Sequence, residues 1–278
     1  MISVVIPAFN AVRTIERQLD ALAHQDFVGE FEVIVADNGS TDDTSRVAAA
    51  WAGRVPGLQV VDARGRRGSA SARNAGVRAA TGSAIAFCDA DDAVTEHWLA
   101  GLAQGLEHGP LVAGWRELQD GAGRTWLEAE PIGPFLGFLP FADSCSMAVD
   151  RAAFESVGGF EEELFRSSDV DLSWRLQLAG HELVEAPSAL VYKVLPERRS
   201  DRLRQVFEWG RAQPALYARH RANGMPPPST RRTVREFAVI VATTLLLWHP
   251  RARHRWGQLA PLHAGRIAGC RRARCWYP

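Results

Sequence analysis

Lysine is nearly missing from this chain: Lys193 is the only one, and every other basic side chain is arginine. That bias reads as the mark of a GC-rich genome. Cysteine is also scarce. Cys88, Cys145, Cys270 and Cys275 show no Cys-x-x-Cys spacing, which argues against a zinc ribbon. No Gly-x-Gly-x-x-Gly follows the first apolar run, so a nicotinamide or methyl-donor Rossmann enzyme is not indicated. No Gly-rich, lysine-bearing phosphate loop stands early in the chain, which argues against a nucleotidyltransferase. The uncharged run Phe237 to Trp248 falls short of the roughly 20 apolar residues that span a bilayer. Acidic residues vanish after Glu236, and from Phe237 to Pro278 there is neither Asp nor Glu.

With 278 residues, 46% of them apolar, the chain can build one large domain, or one domain with an appendage. Its formal net charge is zero, but the charge is uneven. Arg251, Arg253, Arg255, Arg266, Arg271, Arg272 and Arg274 fall in the stretch without acids, which points to an anionic partner. No interleaved aromatic platform accompanies them, so a membrane surface is expected and nucleic acid is not. The chain enters a strand at Ile2, leaving no room for a signal peptide. A cytoplasmic protein with free thiols is expected, held at the cytoplasmic face of a membrane. Cys270 and Cys275 are the one pair close enough in sequence to be bridged or modified together.

The first hundred residues alternate between short apolar runs and helical spacing. Strands are expected at Ile2 to Ile6, Phe31 to Ala36, Leu58 to Val61 and Ala84 to Cys88. Helices are expected at Val12 to Leu22, Asp42 to Trp51 and Ser69 to Ala80. This rhythm implies right-handed crossovers and a parallel sheet. Beyond Asp92, a helix is expected at Thr95 to Leu106. Strands are expected at Leu111 to Trp115, Cys145 to Val149, Leu183 to Glu185 and Leu190 to Tyr192. Between them, Gly121 to Pro140 reads as a loop, and Asp169 to Leu178 as a helix. From Pro196 the character changes. A long amphipathic helix, Asp201 to His220, precedes Pro226-Pro227-Pro228 and then the uncharged run. That run reads either as a buried core helix or as a helix lying in a membrane plane. The expected division is an α/β domain over 1–195 and a helical, basic region over 196–278.

Carboxylates gather where the expected strands end. Asp37 follows the second strand, and Asp89, Asp91 and Asp92 follow the fourth. Isolated buried carboxylates are costly, so their clustering marks an open cleft at a sheet edge, where ligands bind in such folds. A tight Asp-x-Asp-Asp cluster repels itself. A hard divalent cation between protein and phosphate would relieve that repulsion.

Four segments together resemble the inverting glycosyltransferases of family 2 with the GT-A fold, over about residues 1 to 195. They are Val5-Ile6-Pro7-Ala8-Phe9-Asn10, Asp37-Asn38-Gly39-Ser40-Thr41-Asp42, Gly68 to Gly76 with Ala72-Arg73-Asn74, and Asp89-Ala90-Asp91-Asp92. Val157-Gly158-Gly159-Phe160 and Ser168-Asp169-Val170-Asp171 extend the resemblance. The resemblance implies a Rossmann-like, mostly parallel sheet flanked by helices, with a helical C-terminal extension. It also implies a nucleoside-diphosphate sugar donor. Pro7, Ala8, Asn10, Asp37, Asn38, Arg73, Asp89 and Lys193 would contact the donor. Asp91 and Asp92 would hold Mg²⁺ or Mn²⁺, and Asp169 would be the general base. Asp171 would be the fallback base, although helix capping and an ion pair with Arg175 is the simpler expectation for it.

Three positions depart from the family pattern. Asn38 stands where Asp is usual, Ser168 where Glu is usual, and Lys193 near a usual His. An ammonium cannot ligate a metal while charged, but it can hold a diphosphate directly. The acceptor class, whether glycan, lipid carrier or small molecule, is not legible. A catalytically silent GT-A domain acting as a membrane-associated binding or scaffolding subunit is the alternative.

Overall fold

The computed structural model describes residues 1–120, 123–164, 166–194, 196 and 198–277. The chain divides into two compact units, Met1–Gly133 with Pro140–Leu195, and Pro134–Leu139 with Pro196–Pro278.

The first unit is built on one sheet. Strands β1 (Ile2–Ala8), β2 (Phe31–Asp37), β3 (Gln59–Asp62) and β4 (Ala84–Phe87) run parallel, in the order β3-β2-β1-β4. Helices α1 (Ile15–Ala23), α2 (Thr44–Ala49) and α3 (Ser69–Ala79) make the crossovers. Antiparallel pairing enters with β8 (Met147–Asp150), which joins β4 to β6 (Leu111–Gln119). Beyond β6 come β9 (Leu183–Val194) and the two-residue β5 (Ala93–Val94), while β7 (Thr125–Leu127) pairs with β6 off the main path.

Period-2 alternation explains why the sheet is covered on both faces. Val4, Ile6, Val33 and Val35 face one core with Ile15, Leu19 and Leu22 of α1, and with Trp98, Leu99 and Leu102 of α4 (Trp98–Leu106). Val5, Ile34, Ile85 and Phe87 face the other, with Ala70 and Val77 of α3, Phe154 of α5 (Arg151–Ser156), and Leu172 and Leu176 of α6 (Ser168–Leu178). The composition of α3 serves this packing. A Cβ at Gly76 would lie 2.4 Å from Val5 Cγ1, so only glycine lets α3 sit this close to β1.

Several elements differ from the sequence expectation. The two short strands expected after Gly180 are one strand, β9. Its pairing with β6 shifts register between Gly114 and Trp115, so Pro187, Ser188 and Ala189 have no paired partner there. A bulge of this kind breaks the alternation that periodicity detects. Six-residue α5 is too short to show helical spacing; its cap is Asp150, whose carboxylate accepts from the Ala153 N–H. Of the loop expected at Gly121 to Pro140, residues 121 and 122 lie outside the described residues, and β7 forms within it.

The second unit is helical: α7 (Arg199–His220), α8 (Thr230–Leu245) and α9 (Pro250–Ala273). Helices α7 and α9 approach backbone to backbone. A Cβ at Gly210 would lie 2.0 Å from the Leu262 carbonyl oxygen, and one at Gly265 would lie 2.1 Å from that of Phe207. The uncharged run reaches from α8 to the start of α9, and the buried-core reading of it fails. Thr243 is the only buried residue of α8, while Val241, Leu245 and Trp248 are 64%, 77% and 74% exposed. No helix among the described residues is long and apolar enough to cross a membrane. All four cysteines are unbridged.

Candidate functional site

The strand ends set the stage. Parallel register pairs Ala8 with Asp37, and Val5 with Phe87. Asp89 therefore emerges at about the level of Pro7, two residues past the paired end of β4. The carboxyl ends of β1, β2 and β4 thus present Pro7, Ala8, Asp37 and Asp89 along one edge.

A second register builds the acidic cluster. β5 runs antiparallel to β9 with Ala93 opposite Tyr192 and Val94 opposite Val191. The next pair in that register is Asp92 with Lys193. The Lys193 ammonium donates to Asp92 Oδ2 at 3.1 Å and to Asp89 Oδ2 at 3.3 Å. The other Asp89 oxygen accepts from Arg73 Nη2 at 2.7 Å. Arg73 is buried, and its guanidinium lies 5.5 Å from the Phe160 ring centre. Arg17 reaches from α1 to the main-chain carbonyls of Asp91 and Asp92, holding that turn in shape.

Burial and charge act against each other in this cluster. Burial alone would raise the Asp89 proton affinity, but Lys193 and Arg73 outweigh it and hold the carboxyl well below its usual range. Asp92 is the reverse case. Burial, with Asp89 and Asp91 adding to it, raises its proton affinity despite Lys193. Asp91 is raised too, first by desolvation and then by Asp89, although its side chain opens to solvent. Oxygens of Asp89, Asp91 and Asp92 all lie within 4.8 Å of one another. Three hard donors, with Asp89 raising the proton affinity of Asp91 and both raising that of Asp92, suit an oxygen-loving divalent cation. Lys193 already supplies one positive charge to two of them.

Asp169 stands in the first turn of α6. Its Oδ2 accepts from the Ser144 hydroxyl at 3.2 Å and the Ser144 N–H at 3.3 Å, and its Oδ1 accepts from its neighbour, the Val170 N–H. Desolvation, then Asp143, raises its proton affinity, while Arg73 pulls the other way. Asp143 is itself held low, against the cost of burial, by its 2.8 Å pair with Arg116 and by Lys193. Asp89, Asp143, Asp169, Arg73 and Lys193 therefore share one electrostatic neighbourhood.

The motifs are braced against one another. Asn74 accepts from the Phe160 N–H at 3.0 Å and donates to the Phe160 carbonyl at 2.9 Å. Arg175 pairs with fully buried Asp171 at 2.8 Å and donates to the Gly159 carbonyl at 2.7 Å. The Asp171–Arg175 ion pair expected from i,i+4 spacing is thus present, and it clamps the Gly-Gly-Phe turn that seats Phe160 under Arg73.

The turn after β2 forms an adjoining group. Asp37 accepts from the Ser40 N–H at 2.8 Å and from the Ser45 hydroxyl. Asn10, at φ 51°, accepts from the Thr41 N–H at 2.8 Å. Asn38 is buried. Its amide donates to the Ala63 and Arg66 carbonyls at 2.6 and 2.8 Å and accepts from the Gly68 N–H at 2.8 Å. Both amide hydrogens are thereby used, leaving a spare lone pair on the oxygen for any base. Asn38 fixes the start of α3, the helix that carries Arg73.

Among the residues singled out from sequence, direct contact joins Arg73, Asp89, Asp92 and Lys193, with Asp91 beside them. Electrostatics tie Asp169 to the same group. Pro7, Ala8, Asn10, Asp37 and Asn38 line the adjoining strand ends. Arg17, Arg116, Asp143 and Ser144 escaped the sequence reading. A carboxylate just ahead of a strand, as Asp143 stands ahead of β8, was the one signal available.

The family model described as Glycosyl transferase family 2 matches residues 3–158. Glycosyltransferase AglE of Haloferax volcanii is 30% identical over 196 residues, covering 66% of this chain and 64% of that protein. The pre-mycofactocin glycosyltransferase of Mycobacterium tuberculosis is 29% identical over 241 residues, covering 79% of this chain but 48% of that one. The chain therefore spans less than two thirds of the length of either relative. Among solved structures, mannosyltransferase PcManGT from Pyrobaculum calidifontis, in complex with GDP-Man and Mn²⁺, superposes with TM-score 0.68 at 19% identity. That match covers 96% of this chain and 86% of the other. Staphylococcus aureus TarS 1–349 in complex with UDP-GlcNAc gives TM-score 0.56 at 18% identity, covering 100% and 93%.

Proposed function

The chain belongs to glycosyl transferase family 2, and from that premise we propose that it moves a hexosyl group from a nucleoside-diphosphate sugar to an acceptor hydroxyl with inversion. The observation that carries this reading is the contact network Arg73–Asp89–Lys193–Asp92, with Asp91 alongside. The turn at Asp37 and Asn38, with Pro7, Ala8 and Asn10, receives the nucleoside. Asp89 takes the ribose side. Arg73 and Lys193 offer the diphosphate two cationic groups already fixed in place, so little reorganisation is needed when charge develops.

Asp91 and Asp92 would hold Mg²⁺ or Mn²⁺, which when bound acts as a Lewis acid and neutralises charge on the departing nucleoside diphosphate. Asp169 takes the proton from the acceptor hydroxyl. Its raised proton affinity brings it nearer the operating pH, where a general base works best. The Ser144 bonds to Oδ2 and the Val170 bond to Oδ1 fix its orientation. The protein acts at the cytoplasmic face of an anionic membrane, on a glycan, lipid-carrier or small-molecule acceptor.

One observation favours a second reading. The Lys193 ammonium lies between two would-be metal ligands, and Ser168 leaves α6 without a supporting carboxylate, as in a silent binding subunit. A thermal-shift screen of UDP-, GDP- and dTDP-sugars with and without Mn²⁺, followed by transfer of labelled sugar, separates the two. A Mn²⁺-dependent rise in melting temperature with turnover is expected. A rise without turnover or hydrolysis selects the silent subunit, and no rise with any nucleotide removes both.

A further inference from the structure

A cavity of about 170 Å³ lies within the first unit, lined by β6, β7 and the segments 128–133 and 141–143. Its wall is anchored. The Trp115 indole N–H and the Ile132 main-chain N–H both donate to Glu185 Oε2, at 3.0 and 3.2 Å, which ties the 128–133 segment to β6 and β9. Asp143 belongs to the same lining. Its Oδ2 takes the 2.8 Å bond from Arg116, and its Oδ1 accepts from the Cys145 N–H at 3.2 Å. The next residue, Ser144, holds Asp169. Residues 143 and 144 thus meet the cavity and the proposed base in turn, and the two places share one wall.

The lining mixes two kinds of surface. Leu127, Ile132 and Phe141 are apolar, while Arg116, Glu128, Glu130 and Asp143 set one arginine against three carboxylates. Glu128 and Glu130 are exposed and have no partner among the described residues. Arg116 uses only Nη1 on Asp143, and its other N–H groups have no partner among the described residues. Free acceptors therefore stand with free donors beside an apolar surface. A sugar ring has the matching character: hydroxyls around its edge that both give and take hydrogen bonds, and C–H faces that pack on apolar groups. A phosphate would meet three carboxylates and one arginine that is already paired. An acyl or prenyl chain would strip water from the two unpaired glutamates. The volume falls below the roughly 300–1,000 Å³ of a drug-sized site, which leaves room for a single ring.

We propose that this cavity seats a neutral sugar ring at the end of the acceptor, with Arg116, Glu128 and Glu130 bonding its hydroxyls. The inference rests on the glycosyl-transfer reading, and it narrows the acceptor to molecules that end in an uncharged sugar. The shared wall at residues 143 and 144 puts that ring beside Asp169.

The test is saturation-transfer NMR of the full chain with the methyl glycosides of glucose, galactose, mannose and N-acetylglucosamine, and with the phosphate ester of methyl glucoside. Wild type is expected to bind at least one neutral glycoside and not the phosphate ester. Glu128→Ala with Glu130→Ala should weaken that binding about tenfold, and Arg116→Gln by a similar factor. In transfer assays the same factor should appear in the acceptor KM, with the donor KM unchanged. A retained Mn²⁺-dependent nucleotide shift certifies that each variant is folded and that its donor site is intact. The proposal is overturned if no neutral glycoside binds, if the variants bind it as well as wild type, or if the phosphate ester binds equally. Donor-dependent turnover in any of those cases would leave the transfer reading standing without this cavity. Glycoside binding that the variants weaken, with no nucleotide shift in wild type, would leave a sugar-binding cavity but overturn its acceptor role together with the transfer reading.

Discussion

Two regions of this chain handle charge in opposite ways, and the zero net charge conceals it. Residues 1–195 carry 28 acidic and 15 basic side chains, and residues 196–278 carry 4 and 17. The first region is thus 13 negative and the second 13 positive. In the first, charges are bound to one another. Asp89 has both Arg73 and Lys193, Asp143 has Arg116, and fully buried Asp171 has Arg175. In the second, Arg235, Arg251 and Arg255 stand exposed with no carboxylate to meet them among the described residues. A buried pair is costly to break because its remaining member is stranded, whereas an exposed charge is solvated and largely screened. The acidic region should therefore respond to substitution as a network, and the basic region as a sum of independent surface charges.

The largest expected effect separates chemistry from both kinds of charge. Asp169→Asn keeps the shape of the side chain and removes its ability to accept a proton. Turnover should fall by about 10²–10⁴-fold, the usual worth of a general base. Nucleotide-dependent thermal stabilisation and vesicle flotation should stay as in wild type. Unchanged turnover in a single-turnover transfer assay would remove Asp169 from the mechanism.

A smaller effect sets the two regions directly against each other. Lys193→Ala leaves Asp89 and Asp92 without a partner they share. The loss should be about 1–3 kcal/mol of stability in EDTA, below the full cost of breaking a wholly buried pair because Lys193 is about a quarter exposed. Saturating Mn²⁺ should recover much of it, since the cation neutralises the same carboxylates. Arg255→Ala should change stability by no more than about 0.5 kcal/mol in either medium. Calorimetry of both variants checks this, and equal losses would mean that the network is no more cooperative than the surface.

Much of the frame was legible because it rests on local pattern. The strands from Ile2, Phe31 and Ala84 could be read from their apolar runs, and the acidic residues at their ends pointed to the sheet edge. What stayed hidden depends on register. The Lys193–Asp92 contact follows from a two-residue strand, β5, set against β9, and two residues carry no period. Asn38 reads as a ligand for a base, yet its amide hydrogens are used up on the Ala63 and Arg66 carbonyls, a tertiary fact with no sequence trace. Helix α9 contains Gly257, Pro261, Gly265 and Gly269, which argue locally against a helix. Close packing on α7 overrides propensity there, and it requires Gly265 and Gly269, where a Cβ would lie 2.1 Å from the Phe207 carbonyl oxygen and 2.3 Å from that of Arg211.

The finest test uses pH to measure how tightly the acidic region is coupled. As the proposed base, Asp169 would act as a carboxylate, so the rate would be lost as pH falls through its titration. Desolvation comes first in raising that titration above the ordinary value near 3.9, and the negative Asp143 comes second. Asp143→Asn removes the second cause and also frees Arg116, whose positive charge favours the Asp169 anion. Both changes act in one direction, so the acid limb of kcat/KM should move to lower pH. Arg251→Gln, in the basic region, should leave the limb where it is. A limb that stays fixed in Asp143→Asn would mean that desolvation alone raises Asp169. The acidic side chains would then be neighbours without being a network, and the contrast between the two regions would reduce to composition.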